Sequence, residues 1–229
     1  MRFAVLCVVG LAGCAQIFGL DPPTTVDAAS SDSSTSDASF GCRGDNFDDN
    51  VLDKNFWVPF VEGMETVTEI EQHLQIDLDD TTGSAYSGLD TRVPLKATDT
   101  GVQVEVVQAS ENNTSETALM MYRTGGDQLI LSKDNGVVRA TVKAGGANMS
   151  VQAAWDPQAH RFFRIKRENN NVTFWTSRDG TTWSNLWTST ASFAQESLTA
   201  SIHAGHYMTA RAATVIFDNF LILDGSCAP

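Results

Sequence analysis

Apolar and polar residues alternate with a period of two in short runs along the chain from residue 42 onward. Such alternation places every second side chain on the same face of a strand, so it predicts half-buried β-strands. The turn dipeptides Asn135-Gly136 and Asp179-Gly180 separate some of these runs. The predicted strands are His73–Leu78, Val102–Gln108, Ala118–Arg123, Gln128–Ser132, Val137–Val142, Arg161–Lys166, Val172–Ser177, Leu198–Ala204 and Thr214–Leu223. This pattern, without a long helical period, indicates an all-β domain: a two-sheet antiparallel β-sandwich.

The clearest local element is a hairpin formed by the two predicted strands at 161–166 and 172–177. A loop at residues 168–171 sets Ile165 opposite Phe174 on the core side. The same register sets Arg164 opposite Trp175 on the other face, where a guanidinium and an indole can stack. This pair is the first candidate for an exposed binding platform.

The chain opens with Met1-Arg2 and an apolar run from Phe3 to Ala12, which is typical of an export signal. The run is about half the roughly 20 residues that a membrane-spanning helix needs. The tetrapeptide Leu11-Ala12-Gly13-Cys14 resembles the lipobox of bacterial lipoproteins. This resemblance implies a signal peptide at residues 1–13, a lipid anchor on Cys14 and an outer-membrane location. An ordinary secretory signal that contains a cysteine is the alternative.

Residues 14–41 are predicted to be a flexible tether, and residues 42–229 are predicted to be the β-sandwich domain. Between Asp21 and Ser39 the chain consists mostly of Ser, Thr, Asp, Ala and Pro, and Val26 is the only sizeable apolar residue. Such a segment cannot bury enough apolar surface to offset the entropy of ordering, so we expect it to be disordered.

Two of the four cysteines, Cys42 and Cys227, stand at opposite ends of the predicted domain. Outside the cytoplasm a disulfide between them would persist, and two free thiols are the less attractive alternative. A bridge closing so long a loop is worth on the order of 5 kcal/mol in the chain-entropy model. It requires that the first and last strands of the domain be neighbours.

The formal net charge of −13 argues against nucleic acid as a partner, because phosphate binding needs a basic surface. An acidic surface favours solubility and also favours calcium. Asp45 and Asp48 lie near the start of the domain and Asp218 lies near its end. If the two ends pair, these carboxylates become candidate ligands of a structural Ca²⁺ ion.

Four short motifs occur in order between residues 45 and 223, and they resemble concanavalin A-like lectin/glucanase jelly rolls of the LamG-like type. They are Asn46-Phe47-Asp48-Asp49 with Leu52-Asp53 and Trp57, then His160–Ile165, then Ser177–Trp183, then Phe217–Phe220. The resemblance implies two packed antiparallel sheets with the terminal strands side by side. We interpret Ser177–Trp183 as a structural hairpin turn with Trp183 packed beneath it.

No catalytic motif is evident. Jelly-roll glucanases carry three acids on one strand as E-x-D-x-x-E, and no such string occurs here. Glu69 and Glu71 lack a third acid, and Glu105 has no acidic partner nearby in sequence. His203 and His206 are three residues apart, so on a strand they face opposite sides and do not form a metal pair.

The leading hypothesis is therefore a non-catalytic, membrane-anchored surface module that binds carbohydrate. Sugars stack on aromatic rings while polar groups order their hydroxyls. A structural or adhesion lipoprotein that binds protein or cell wall is the first alternative, and a divergent glycoside hydrolase using Glu105 is the second. The oligomeric state stays open. The candidate ligand-binding residues are Arg164, Trp175, Glu105, Trp187 and Tyr207.

Overall fold

Two antiparallel sheets form the domain in the computed structural model, which describes residues 43–81, 83–207 and 211–224. The eight-stranded sheet contains β1 (Gly44–Asp45), β3 (Thr66–Ile70), β4 (His73–Leu78), β6 (Gly101–Gln108), β11 (Phe162–Glu168), β12 (Asn171–Ser177), β13 (Trp183–Thr190) and β15 (Ala213–Leu223). The seven-stranded sheet contains β2 (Trp57–Phe60), β5 (Ala85–Thr91), β7 (Ser115–Tyr122), β8 (Gln128–Asp134), β9 (Val137–Ala144), β10 (Ala147–Ala154) and β14 (Thr199–His206). This architecture is the predicted all-β sandwich.

Each run that the alternation predicted to be a strand forms one, with ends shifted by no more than a few residues. The strands that the pattern did not predict are β1, β2, β3, β5, β10 and β13. Several of these are short, or carry polar and small residues, so the contrast between their two faces is weak. Tertiary pairing therefore decides their conformation.

The core lies between the sheets and is built from the inward half of each alternating strand. Val102 and Val104 of β6 and Phe163 of β11 are fully buried from one side, and Leu119 of β7 and Ile202 of β14 are fully buried from the other. Burial of one such side chain contributes about 1.5–3 kcal/mol. With the inward positions committed to this core, the intervening residues of the same strands face outward.

The strand order in the eight-stranded sheet is β13-β12-β11-β6-β15-β4-β3, with β1 paired to β15. The seven-stranded sheet has the order β10-β9-β8-β7-β14-β5-β2. Gly44 pairs with Leu221, and the amide of Ile222 donates to the carbonyl of Arg43 at 2.7 Å. The prediction that the first and last strands are neighbours is confirmed.

The predicted anchor and disulfide fall outside the described residues. Cys14, Cys42 and Cys227 all lie there, as do the signal peptide and the tether. Lipidation and the bridge therefore stay predictions. Among the described residues, no helix is both long and apolar enough to span a membrane.

The hairpin of β11 and β12 has the predicted register: Ile165 pairs with Phe174 and Arg164 pairs with Trp175. The turn after β12 is also structural, as predicted. The Asp179 carboxylate accepts hydrogen bonds from the amides of Thr181 and Thr182 at 2.9 and 2.7 Å. The indole of Trp183 donates to the carbonyl of Gly180 at 3.1 Å, which fixes the start of β13 against the turn.

Candidate functional site

Arg164 and Trp175 lie on the outer face of the eight-stranded sheet, but Arg164 is not an exposed platform. Its side chain is only 5% exposed, and its guanidinium lies 3.6 Å from the centroid of the Trp183 ring. The Nε and Nη2 atoms donate to Gln103 Oε1 at 3.0 and 2.5 Å. Burial lowers the pKa of Arg164 to about 10. The predicted exposed Arg–Trp pair is thus corrected: Arg164 stacks on Trp183 instead.

Glu105 lies near Arg164 on the same face and is held by two partners. It is 5% exposed, its Oε1 forms an ion pair with Arg161, and its Oε2 accepts from Asn219 Nδ2 at 2.9 Å. Asp218 is opposite Glu105 on β15. Burial raises the pKa of Asp218 to about 6, and the Glu105 charge adds to the rise. Both carboxylate oxygens of Glu105, the residue that the hydrolase alternative would use, are thus held by neighbouring side chains.

Trp187 faces the core side and not the solvent, so its prediction as an exposed aromatic is also corrected. Its ring stacks on Phe174 at a centroid distance of 5.7 Å and packs against the core. A register shift between Phe174 and Trp175 causes this orientation, because Phe174 pairs with Trp187 while Trp175 pairs with Asn185. One extra residue on β13 reverses the face that the simple alternation assigns.

Two of the predicted calcium ligands, Asp45 and Asp48, accept hydrogen bonds from neighbouring groups of the protein. Asp45 accepts from the indole of Trp57 at 2.7 Å and from the amide of Phe47 at 2.9 Å, and Asp48 accepts from Asn46 at 2.9 Å. Within the described residues no group of three or more His, Cys, Asp or Glu side chains is placed to hold a metal ion. The calcium site stays a prediction.

A different group of residues converges on the outer face of the seven-stranded sheet. The chain has three tyrosines, and all three lie there: Tyr86 on β5, Tyr122 on β7 and Tyr207 directly after β14. Alternation places Ser201 and His203 on the same face, because Ala200, Ile202 and Ala204 point into the core. We call this surface the tyrosine face.

Small residues surround His203 in the middle of the tyrosine face. His203 pairs with Gly88 on one side and with Ala118 on the other, and Ala118 pairs with Ser132. A side chain at Gly88 would collide with the carbonyl oxygen of Ile202, so the strands approach closely only because this position is glycine. The side chains next to His203 are therefore small, and they are buried.

Three buried polar atoms on the side of the tyrosine face have no hydrogen-bond partner among the described residues: Ser201 Oγ and His203 Nδ1 in its middle, and Arg139 Nε at its border. Ser201 is fully buried and His203 is 7% exposed, with the Tyr86 ring packed edge-on at 5.9 Å. Burial lowers the pKa of His203 to about 4, so the ring is neutral at pH 7. A neutral imidazole presents one donor and one acceptor nitrogen.

Two tyrosine hydroxyls are held by carboxylates at the border of this face. Tyr122 donates to Asp90 at 2.8 Å, and Tyr207 donates to Asp134 at 2.6 Å. Burial, with the neighbouring carboxylate, raises the pKa of each tyrosine to about 12. Arg139 pairs with Asp134 at 3.2 Å. Tyr207 was predicted as an exposed aromatic; it is 37% exposed, and this hydrogen bond fixes its ring.

Glu116 is the remaining acid of the tyrosine face. Burial raises its pKa, while a hydrogen bond from the Ser132 hydroxyl opposes the rise and the nearby Asp134 charge adds to it. The next positions of β7 on the same face are Ala118 and Met120. On this face β7 therefore carries one acid, Glu116.

His206, by contrast, lies on the core side of β14. Its Nδ1 is 3.0 Å from Ser115 Oγ and its Nε2 is 3.0 Å from the carbonyl oxygen of Asp79. His203 and His206 thus face opposite sides of the sheet, as their spacing predicted. The signal that could have identified the tyrosine face is in β14 itself, where Ser201 and His203 alternate with small apolar residues.

Comparison with known proteins supports the fold. No protein-family model and no curated protein matches the chain. A laminarinase from Flavobacterium sp. UMI-01 has a TM-score of 0.64 at 9% identity, over 80% of this chain and 99% of its own. A non-specific endo-β-1,3(4)-glucanase from family GH16 has a TM-score of 0.60 at 9% identity, over 79% of this chain and 88% of its own. A pseudo β-1,3-glucanase of Mycobacterium tuberculosis has a TM-score of 0.60 at 10% identity, over 80% of this chain and 98% of its own.

Proposed function

We propose that the protein is a non-catalytic carbohydrate-binding module whose ligand lies on the tyrosine face. The observation that carries this proposal is the convergence of all three tyrosines around Ser201 and His203, two side chains with buried polar atoms that have no partner among the described residues. A buried polar group without a hydrogen bond costs about 1–3 kcal/mol. A ligand hydroxyl that reaches these atoms would recover that cost.

The chemistry of the face suits a sugar. The apolar side of a pyranose ring stacks on an aromatic ring, and its hydroxyls need both donors and acceptors. Tyr86 and Tyr122 provide partly exposed rings, and the carboxylates of Asp90 and Asp134 provide acceptors. The Tyr86 ring packs edge-on against His203, so the aromatic surface and the imidazole lie side by side on this face.

Two observations favour binding over hydrolysis. β7 has Ala118 and Met120 at the positions that share a face with Glu116, so a glucanase-like set of three acids is lacking on that strand. The similar folds include a laminarinase and a glucanase, but also a protein named a pseudo β-1,3-glucanase, so this architecture by itself does not imply glucan hydrolysis.

The proposal includes the membrane anchor on Cys14, with the domain held at the outer membrane by its tether. Replacing Cys14 with alanine is expected to move the protein from the membrane fraction to the soluble fraction of lysed cells. If the variant remains in the membrane fraction as the wild type does, the anchor is not Cys14.

Binding is tested by titrating laminarin and a panel of soluble α- and β-glucans into the protein and its variants. Tyr86→Ala should raise the dissociation constant roughly tenfold, because the loss of one stacking ring costs about 1.4 kcal/mol of binding free energy. Trp175→Ala on the other sheet is the matched aromatic control and should bind as the wild type does. Equal weakening in both variants, or retention of an envelope protein with no glycan bound, would overturn the proposal.

Glycoside hydrolysis is the second candidate, and one observation favours it. Glu116, whose pKa is raised, lies near a second carboxyl group, Asp134. Asp134 forms an ion pair with Arg139 and accepts a hydrogen bond from Tyr207. A pair of neighbouring carboxyl groups, one of them with a raised pKa, is a feature of glycosidases. Release of reducing sugar from laminarin that disappears in Glu116→Gln, with binding intact, would establish this function in place of the first.

A further inference from the structure

The four outermost strands of the two sheets differ in how well they are protected against pairing with another chain. A free strand edge exposes backbone donors and acceptors, and proteins block it with short strands, proline, charge or bulges. At one side of the sandwich, β2 has only four residues including Pro59, and β3 has only five residues. Both of these edges are blocked by such features.

At the other side, β10 and β13 lie next to each other, and each has eight residues. The register shift between Phe174 and Trp175 interrupts the pairing of β12 with β13, and a bulge of this kind twists an edge strand. β10, by contrast, pairs with β9 without any shift from Ala147 to Ala154. β10 is therefore the one regular, unprotected edge of the four.

Every residue of β10 is exposed, including Met149 at 45% and Val151 at 37%. The chain carries no charged residue from Ala144 to Trp155, although its formal net charge is −13. Two copies of so acidic a protein repel each other over most of their surfaces. The uncharged edge is where they can approach at the lowest electrostatic cost.

We propose that β10 pairs with β10 of a second copy of this chain, antiparallel and about a two-fold axis at Ser150. An isologous contact must be self-complementary, and paired residues must share a face of the sheet. With Ser150 opposite itself, Met149 pairs with Val151 of the second copy, apolar against apolar. Asn148 then pairs with Gln152 of the second copy, amide against amide. The sequence of β10 meets both conditions in this register.

This pairing joins the two seven-stranded sheets edge to edge. Asn148, Ser150 and Gln152 pair with Lys143, Thr141 and Arg139 of β9, whose side chains point to the same side as the tyrosine face. The tyrosine faces of the two copies would therefore lie on the same side of one continuous sheet. The proposed pairing depends on the regular, uncharged edge of β10 and not on what the tyrosine face binds.

The oligomeric state is tested by sedimentation equilibrium of the purified full chain. The wild type is expected at twice the monomer mass. Ser150→Lys places two like charges directly opposite each other across the axis, which is destabilising in a strand pair, and should weaken the dimer at least tenfold. Thr68→Lys on the protected edge strand β3 is the matched control and should leave the mass unchanged. A monomeric wild type at hundreds of micromolar, or equal behaviour of the two variants, overturns the proposal.

The register is tested by cysteine cross-linking under mild oxidation, with the wild type as the blank for the native cysteines. Directly opposite residues lie about 4.5–5.5 Å apart between Cα atoms, within the range of a disulfide. Ser150→Cys should form a covalent dimer. Gln152→Cys should not, because the two copies of residue 152 are about 14 Å apart in this register. Equal cross-linking of both variants, or none in Ser150→Cys, contradicts the two-fold axis at Ser150.

Discussion

The outer faces of the two sheets differ in how completely their buried polar groups are hydrogen-bonded. On the eight-stranded sheet, Arg164 is held by Gln103 and Trp183, and Glu105 is held by Arg161 and Asn219. On the tyrosine face, Ser201 Oγ and His203 Nδ1 are buried without partners among the described residues. The first face also has one such atom, Trp175 Nε1.

Under the proposed function, this difference separates polar groups that stabilise the fold from polar groups that a ligand would bind. A buried polar atom is normally hydrogen-bonded, so each exception requires an explanation. On the eight-stranded sheet, where most buried polar groups are hydrogen-bonded, a substitution should lower the free energy of unfolding and leave ligand binding unchanged. On the tyrosine face, where buried polar atoms have no hydrogen-bond partner among the described residues, the same kind of substitution should change ligand binding more than the free energy of unfolding.

The largest effect is expected from Arg164→Ala on the paired face. The substitution removes the stack on Trp183 and leaves Gln103 Oε1, which is largely buried, without its donor. The free energy of unfolding should fall by about 3 kcal/mol in urea denaturation.

Lys166→Ala provides the control on the same strand, since Lys166 is more exposed and should change stability by no more than about 0.5 kcal/mol. Glycan binding should stay at the wild-type level in both variants. If Arg164→Ala is as stable as Lys166→Ala, the network on this face does not stabilise the fold as described.

The next effect concerns Asp218, the carboxyl of the paired face whose pKa is raised from 3.8 to about 6 by burial and by Glu105. A raised folded-state pKa means that the favourable contribution is fully present below about pH 3.8 and is lost as the pH rises through about 6. Asp218→Asn should therefore be more stable than the wild type at pH 7, by about 2 kcal/mol after solvent screening. The difference should vanish below pH 3.8, where the wild-type carboxyl is protonated.

The same variant tests the predicted calcium site. If Asp218 binds Ca²⁺, then 1–5 mM CaCl₂ (roughly the range for extracellular sites) should raise the melting temperature of the wild type and not that of Asp218→Asn. An equal response in both proteins would remove Asp218 from the predicted ligand set.

The smallest effect is expected from a matched pair of serines on the tyrosine face. Ser201→Ala removes a buried hydroxyl without a partner and should raise the free energy of unfolding by up to about 1 kcal/mol. Ser132→Ala removes a hydroxyl that hydrogen-bonds Glu116 and should lower it by a similar amount. Thermal denaturation of the two variants compares them directly. If both lose stability equally, Ser201 has a partner in solution.

Local alternation was enough to predict the fold, because strands that follow each other in sequence, such as β11 and β12, each bury one face and pair with each other as a hairpin. The turn at Asn135-Gly136 has positive φ angles of 48° and 71°, which is why this dipeptide connects β8 to β9. Trp187 was predicted wrongly, since a one-residue shift in the pairing of β12 with β13 cannot be read from the sequence of either strand alone.

The tyrosine face was missed in the sequence for a related reason. Tyr86, Tyr122 and His203 come from strands far apart in sequence, and only the pairing of β5 and β7 with β14 brings them together.

The most direct test of the central claim is a titration that reports on His203 itself. The chain has four histidines, so ¹⁵N-histidine labelling gives a spectrum in which each imidazole can be assigned. At saturating concentrations of the glucan that binds best, the ring nitrogens of His203 should shift, while those of His73 and His160 should stay in place. Shifts confined to His73 or His160, or an unchanged His203 with glucan bound, would contradict the tyrosine face as the ligand site.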